Sequence, residues 1–159
     1  MRHIALSTCG LADRIRALAK EELGITLSVS LHAPTDEKRK TIMPVAKAYS
    51  LDELMAACLY YESKTGRRIT MEYTLINGFN SSPSDAEALI RLLRPLKNKH
   101  VNLINVNPVA GREFERCSPE AVAAFRKKLE AGGITATVRR SMGGDISGSC
   151  GQLRAEHLD

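Results

Sequence analysis

Ile25-Thr26-Leu27-Ser28-Val29-Ser30-Leu31-His32-Ala33-Pro34 reads as a strand, Ile25 to Ser30, that Leu31-His32-Ala33-Pro34 brings to an end. Upstream, Ile4-Ala5-Leu6 reads as a shorter strand closed by Ser7-Thr8-Cys9-Gly10, and Leu11, Ile15 and Leu18 are spaced to share one face of a helix. Downstream, a helical segment spans Asp36 to Thr41 and closes before Pro44. Ser50 and Glu53 then stand at capping-box spacing ahead of Leu51, Leu54 and Cys58, so Cys58 is expected in the core. Gly66 stops that helix, and Arg68 to Ile76 is the third strand. Ser84 and Glu87 repeat the capping-box spacing before Leu89, Ile90 and Leu93, and Val101 to Val106 is the fourth strand. Ser118 caps a last helix with Pro119 at its first position and Val122, Phe125 and Leu129 facing inward. Gly132-Gly133 ends it before a fifth strand, Ile134 to Val138.

Strand and helix alternate throughout, which predicts an α/β fold with right-handed crossovers and a parallel sheet. Ligands of such sheets gather at the C-terminal ends of the strands. Ser7, Ser30 to His32, Glu72, Tyr73 and Asn107 stand at or near those ends, and most are small, polar or ionisable. His32 has an alternative reading as a structural histidine bonded to a loop carbonyl.

The chain has 159 residues, of which 43% are hydrophobic, enough for one domain with its own core. It has no tryptophan, and no apolar run approaches the roughly 20 residues that span a bilayer. Met1-Arg2-His3 and the few apolar residues after it do not make a secretory signal, so a cytoplasmic protein without a membrane partner is expected. A net charge of +5 favours a polyanionic partner. The basic residues cluster as Lys38-Arg39-Lys40, Arg67-Arg68, Lys97 with Lys99 and His100, Arg126-Lys127-Lys128 and Arg139-Arg140, and the clusters in helices read as solvated faces. Cys9, Cys58, Cys117 and Cys150 form no close pair, which argues against zinc ribbons and disulfide scaffolds.

The C-terminal run Val138-Arg139-Arg140-Ser141-Met142-Gly143-Gly144-Asp145-Ile146-Ser147-Gly148-Ser149-Cys150-Gly151-Gln152-Leu153 leaves an apolar strand on two arginines and sets a cysteine among small residues. It has too little apolar surface for a core, so it is expected to be a loop that presents the Cys150 thiol. The chain accordingly divides at 140, with a sheet-and-helix unit over 1–140 and a cysteine loop and tail over 141–159.

In order and spacing, Ser7-Thr8-Cys9-Gly10, Val29-Ser30-Leu31-His32-Ala33-Pro34, Ile42-Met43-Pro44-Val45, Val101-Asn102-Leu103-Ile104 with Asn107-Pro108, and Asp145-Ile146 with Cys150-Gly151-Gln152-Leu153 resemble consecutive motifs of the RlmN/Cfr radical SAM RNA methyltransferases. The resemblance implies part of a radical SAM (β/α)6 partial TIM barrel that methylates carbon 2 of an adenine in 23S rRNA and, in some members, in tRNA. It implies S-adenosylmethionine held by Ser7, Ser30, Leu31, His32 and Asn107, and a catalytic Cys150 that is first methylated. A second S-adenosylmethionine, cleaved on a [4Fe-4S] cluster, then yields the radical that activates this methyl group for addition to the adenine. Arg139, Arg140 and the loop residues Arg112 and Arg116 would contact RNA phosphates. The family's C-x-x-x-C-x-x-C cluster ligands, its Gly-Glu-Pro motif, its second catalytic cysteine and its N-terminal RNA-binding domain have no counterpart in the chain, so no metal ligands are assigned. The resemblance is to the C-terminal half of the enzyme, with pairing to an N-terminal half in trans, or self-association, as the expected partnership. The alternative is a cluster-free module that binds RNA or S-adenosylmethionine without catalysis.

Overall fold

The structure, a computed structural model, describes residues 4–107 and 113–139. In chain order the described elements are β1 (Ala5–Thr8), α1 (Ala12–Lys20), β2 (Thr26–Ser30), α2 (Asp36–Ile42), α3 (Leu51–Thr65), β3 (Ile69–Leu75), α4 (Pro83–Leu93), β4 (Lys99–Asn105), α5 (Pro119–Ala131) and β5 (Thr135–Arg139). A 3₁₀ turn at Pro44–Lys47 separates α2 from α3. All strand pairs are parallel, in the order β1-β2-β3-β4-β5, as the alternation of elements predicts. A strand order that never reverses sends every right-handed crossover to the same side of the sheet. Among the described residues one face is therefore covered by helices and the other is left open, as in part of a barrel.

Burial follows that division. Leu27 and Val29 of β2, Met71, Tyr73 and Leu75 of β3, and Val101 and Leu103 of β4 are almost completely buried. They share a core with Ile15, Leu54, Leu89, Phe125 and Leu129 of the helices, and the Tyr73 ring stacks on Phe125 with centroids 5.6 Å apart. Because side chains alternate across a strand, the opposite face carries Ser7, Ser28, Ser30, Thr70, Glu72, Thr74, His100, Asn102, Thr137 and Arg139, aligned by the strand registers. The open face of the sheet is thus largely polar, with Ala5 and Ile104 its apolar residues.

Local chemistry sets most boundaries. Ser50 and Glu53 form the expected capping box, and Gly66 ends α3 at φ 63°, a left-handed conformation that glycine adopts without cost. The box expected at Ser84 and Glu87 is instead made by Ser82 and Asp85, because Pro83 is suited to the first helical position and brings the cap forward. Glu87 pairs with Lys128 of α5 across the surface. In α1 the fully buried residues are Ala12, Ile15 and Ala19; Leu18 packs partly buried against the core as expected, while Leu11 sits at the cap and is exposed. β1 runs on through Ser7 to Thr8, which makes Ser7 a strand residue rather than part of the closing turn. Its residues are largely exposed, for β1 is an edge of the sheet.

Candidate cofactor site

Beyond Ser30 the chain stays fastened to β3, since the backbone N–H groups of Leu31 (3.0 Å) and His32 (3.3 Å) both donate to the Glu72 carbonyl. His32 turns the chain at φ 58°, a conformation that a side chain strains. Its ring is held as well: the Thr74 backbone N–H donates to His32 Nδ1 at 3.1 Å. A ring nitrogen that accepts carries no proton, so the neutral imidazole bears its hydrogen on Nε2. Burial, with a smaller contribution from the Arg39 charge, pushes the His32 pKa down to about 4. At neutral pH His32 is an uncharged Nε2–H donor, and its ring accepts from a backbone amide rather than bonding a loop carbonyl.

Two buried side chains not expected at the site, Asn80 and Arg39, hold this turn. Asn80 donates to the carbonyls of His32 (2.8 Å) and Thr74 (2.7 Å), and accepts from the Ile76 N–H (2.8 Å). Tyr73 in turn donates its hydroxyl to the Asn80 carbonyl at 2.8 Å. Arg39 lies on the other side of the turn. Expected on a solvated helix face, it is completely buried, with Nε on the Leu31 carbonyl (3.2 Å) and Nη2 on those of Cys9 (2.8 Å) and Ser30 (3.2 Å). The cluster Lys38-Arg39-Lys40 therefore divides by helix periodicity. Lys38 pairs with Asp85 and donates to the Phe79 carbonyl at 2.7 Å, Arg39 points into the fold, and Lys40 is exposed. A buried arginine looks like its neighbours in a linear sequence, and only the packing of α2 distinguishes it.

The residues expected to hold S-adenosylmethionine all stand at the C-terminal end of the sheet. Ser7 lies opposite Ser28 on exposed β1, and Ser30 lies opposite Glu72, both serines on the open face. Leu31 differs from the rest: its side chain is fully buried, while its N–H and carbonyl bond Glu72 and Arg39. Asn107 follows β4, two strands from β2, where Val106 prolongs the pairing by donating to the Leu75 carbonyl at 3.1 Å. Of the further residues expected near the strand ends, Tyr73 belongs to the core because it faces the helices, whereas Glu72 lies on the open face.

Glu72 accepts from Asn102 at 2.9 Å, and Thr137 bridges Asn102 and His100 at 3.3 Å each. Burial raises the Glu72 pKa, opposed by the Asn102 hydrogen bond and the Arg139 charge. This polar floor and the hydroxyls above it can bond a ribose or an amino-acid group, and a neutral His32 can donate to either. The described residues fit a nucleoside-bearing ligand of that kind. They do not fit a [4Fe-4S] cluster: among them no three of His, Cys, Asp or Glu converge, Cys58 and Cys117 are buried, and Cys9 is exposed. Cys150, Arg112 and Arg140 lie outside the described residues.

No family model matches the chain. A protein of Clostridium perfringens named "Probable dual-specificity RNA methyltransferase RlmN" is 51% identical over 99% of the chain, and the chain covers 45% of it. One of the same name from Symbiobacterium thermophilum is 53% identical over 96% of the chain, which covers 41% of it. The chain is homologous to RlmN-type RNA methyltransferases. The crystal structure of a radical SAM methyltransferase from Sphaerobacter thermophilus superposes with a TM-score of 0.92 at 51% identity, covering 96% of this chain and 44% of that one. A domain of pyruvate-formate lyase-activating enzyme from Bacteroides vulgatus shares the fold at 17% identity, with a TM-score of 0.66 and coverage of 87% and 81%. The chain thus spans less than half the length of the RlmN relatives named, and its five parallel strands form part of a radical SAM fold.

Proposed function

We propose that the chain is the part of a radical SAM RNA methyltransferase that binds S-adenosylmethionine and carries the methyl group, acting on carbon 2 of an adenine in 23S rRNA and tRNA. The supporting observation is that Ser7 and Ser30 stand on one polar sheet face at the C-terminal ends of the adjacent strands β1 and β2, with the neutral His32 ring two residues beyond Ser30. In this reading the serine hydroxyls and Asn107 bond the ribose and amino-acid groups. His32, held neutral by its surroundings, donates without adding a positive charge beside a sulfonium. Leu31 contributes through the backbone path that it fixes. S-adenosylmethionine, when bound, supplies the methyl group. The Cys150 sulfur receives that group and presents it to the adenine, while Arg139 and Arg116, with Arg112 and Arg140, contact phosphates. No iron-sulfur ligand is assigned to the described residues. Among those residues no helix is long and apolar enough to cross a membrane.

Titration of the 15N-labelled chain with S-adenosylmethionine tests the cofactor assignment. The amides of Ser7, Ser30, His32 and Asn107 are expected to shift together. Saturable shifts confined to the α5–β5 side, or none at millimolar ligand, would contradict it.

A further inference from the structure

The Arg39 guanidinium cannot shed its charge at any ordinary pH, and burying it is costly unless its protons are bonded. Yet Arg39 is 0% exposed, and no carboxylate of the described residues makes an ion pair with it. Its bonds go to three main-chain carbonyls, those of Cys9, Ser30 and Leu31. Nη1 finds no partner among the described residues. A core position needing only bulk would be filled more cheaply by leucine or methionine. What a planar fork of donors adds is geometry, because one rigid group links the chain leaving β1 to the chain leaving β2.

Those are the segments that carry Ser7, Ser30 and His32. Past their last ladder bonds, carbonyls at strand ends need other donors, and the path of the chain depends on which donors they find. On the β1 side the fit is close. Gly10 has φ 103°, and a Cβ placed there would stand 2.8 Å from Arg39 Nη2. On the β2 side Arg39 and Asn80 grip the strained His32 turn at Leu31 and at His32 itself. We infer that Arg39 is a positioning residue of the S-adenosylmethionine site, its buried guanidinium clamping the Cys9, Ser30 and Leu31 carbonyls so that β1 and β2 present Ser7, Ser30 and His32 in one fixed arrangement. The inference rests on the cofactor reading above.

Arg39→Lys and Arg39→Met in the 159-residue chain test it, with the S-adenosylmethionine dissociation constant measured by calorimetry and the fold followed through the amide spectrum of β3 and β4. Leu129→Ala, on the core face of α5, controls for a general loss of stability. Both Arg39 variants are expected to bind at least tenfold more weakly with the β3 and β4 resonances in place. Lysine should not restore affinity, since a single ammonium cannot reproduce the fork, and Leu129→Ala should bind like the wild type. If both Arg39 variants unfold, the wild-type Arg39 Nε–H provides the reading: coupling is reciprocal, so S-adenosylmethionine should slow its exchange with solvent at least tenfold where the clamp fixes the site. Wild-type affinity in a folded Arg39 variant, or an unchanged Nε–H exchange rate where that measurement has to serve, overturns the inference while leaving the cofactor site standing. So does an equal loss in Leu129→Ala. Absence of binding in the wild type would instead remove the cofactor reading and the inference with it.

Discussion

Replacing Asn80 with alanine should loosen the turn that carries His32 without touching an apolar contact of the core. Asn80 is fully buried and serves three backbone groups, the His32 and Thr74 carbonyls and the Ile76 N–H, at 2.7–2.8 Å. At about 1 kcal/mol for each bond lost, the expected cost is about 3 kcal/mol. For a chain of this size that corresponds to roughly 6–12 °C in Tm. Asn80→Asp refines the test, because a carboxylate can still accept from Ile76 but meets two carbonyl oxygens where the amide donated. Its charged form is disfavoured in the fold, so its pKa rises above the ordinary value of about 3.9. A carboxyl raised in this way contributes stability below its unfolded pKa and loses it as pH increases through the folded one. The deficit of Asn80→Asp relative to wild type should therefore shrink from pH 7 toward pH 4, while that of Asn80→Ala stays nearly constant. Urea unfolding at several pH values measures both. A loss below about 1 kcal/mol for Asn80→Ala would refute the reasoning, since a single ordinary hydrogen bond would account for it.

The His32 imidazole, observed by NMR, should remain neutral as pH falls from 7 to 5, because burial lowers its pKa to about 4; the stability it lends is present above the usual histidine pKa of about 6.5 and is lost as pH drops through 4. A His32 midpoint near 6.5 would mean that the ring is solvated. Iodoacetamide should label Cys150 and the exposed Cys9 while sparing Cys58, whose thiol burial pushes up to about 12, and the buried Cys117; rapid labelling of Cys58 in the folded chain would contradict its core placement. Among the described residues β1 has no strand on its outer side, and Ile4 is 61% and Leu6 43% exposed, so the isolated chain should associate as concentration rises, and Leu6→Lys should weaken that association in sedimentation experiments. A wild-type monomer at all concentrations would show that the edge is protected.

The fold was legible in the sequence because its signals are local. Ser50 with Glu53, Gly66, and Ser118 with Pro119 mark helix ends by chemistry acting over a few residues, and the apolar runs between them make strands. Where two local signals competed the reading slipped, as at Ser82 and Ser84, which proline chemistry decides. The residues at the strand ends were legible for the same reason, since topology alone brings Ser7 and Ser30 to one edge. Arg39 and Asn80 were not, because their roles are set by partners at long range: Arg39 reaches Cys9 across 30 positions and Asn80 reaches His32 across 48. No periodicity distinguishes a clamping arginine from a solvated one. Glu72 lay between these cases, visible as a strand residue, with its Asn102 partner appearing only once β3 and β4 are in register.

The central claim is that this chain supplies the cofactor site and the methyl-carrying cysteine of an RNA methyltransferase. The most direct measurement combines it, anaerobically and with the iron-sulfur cluster reconstituted, with the portion of the Clostridium perfringens relative that it does not match. S-adenosylmethionine bearing a deuterated methyl group and 23S rRNA or tRNA complete the reaction, and nucleosides are read by mass spectrometry. Labelled adenine methylated at carbon 2 is expected with the wild-type chain, with none from Cys150→Ala or from the 159-residue chain alone. Equal product from Cys150→Ala, or product from the lone chain, would contradict the account.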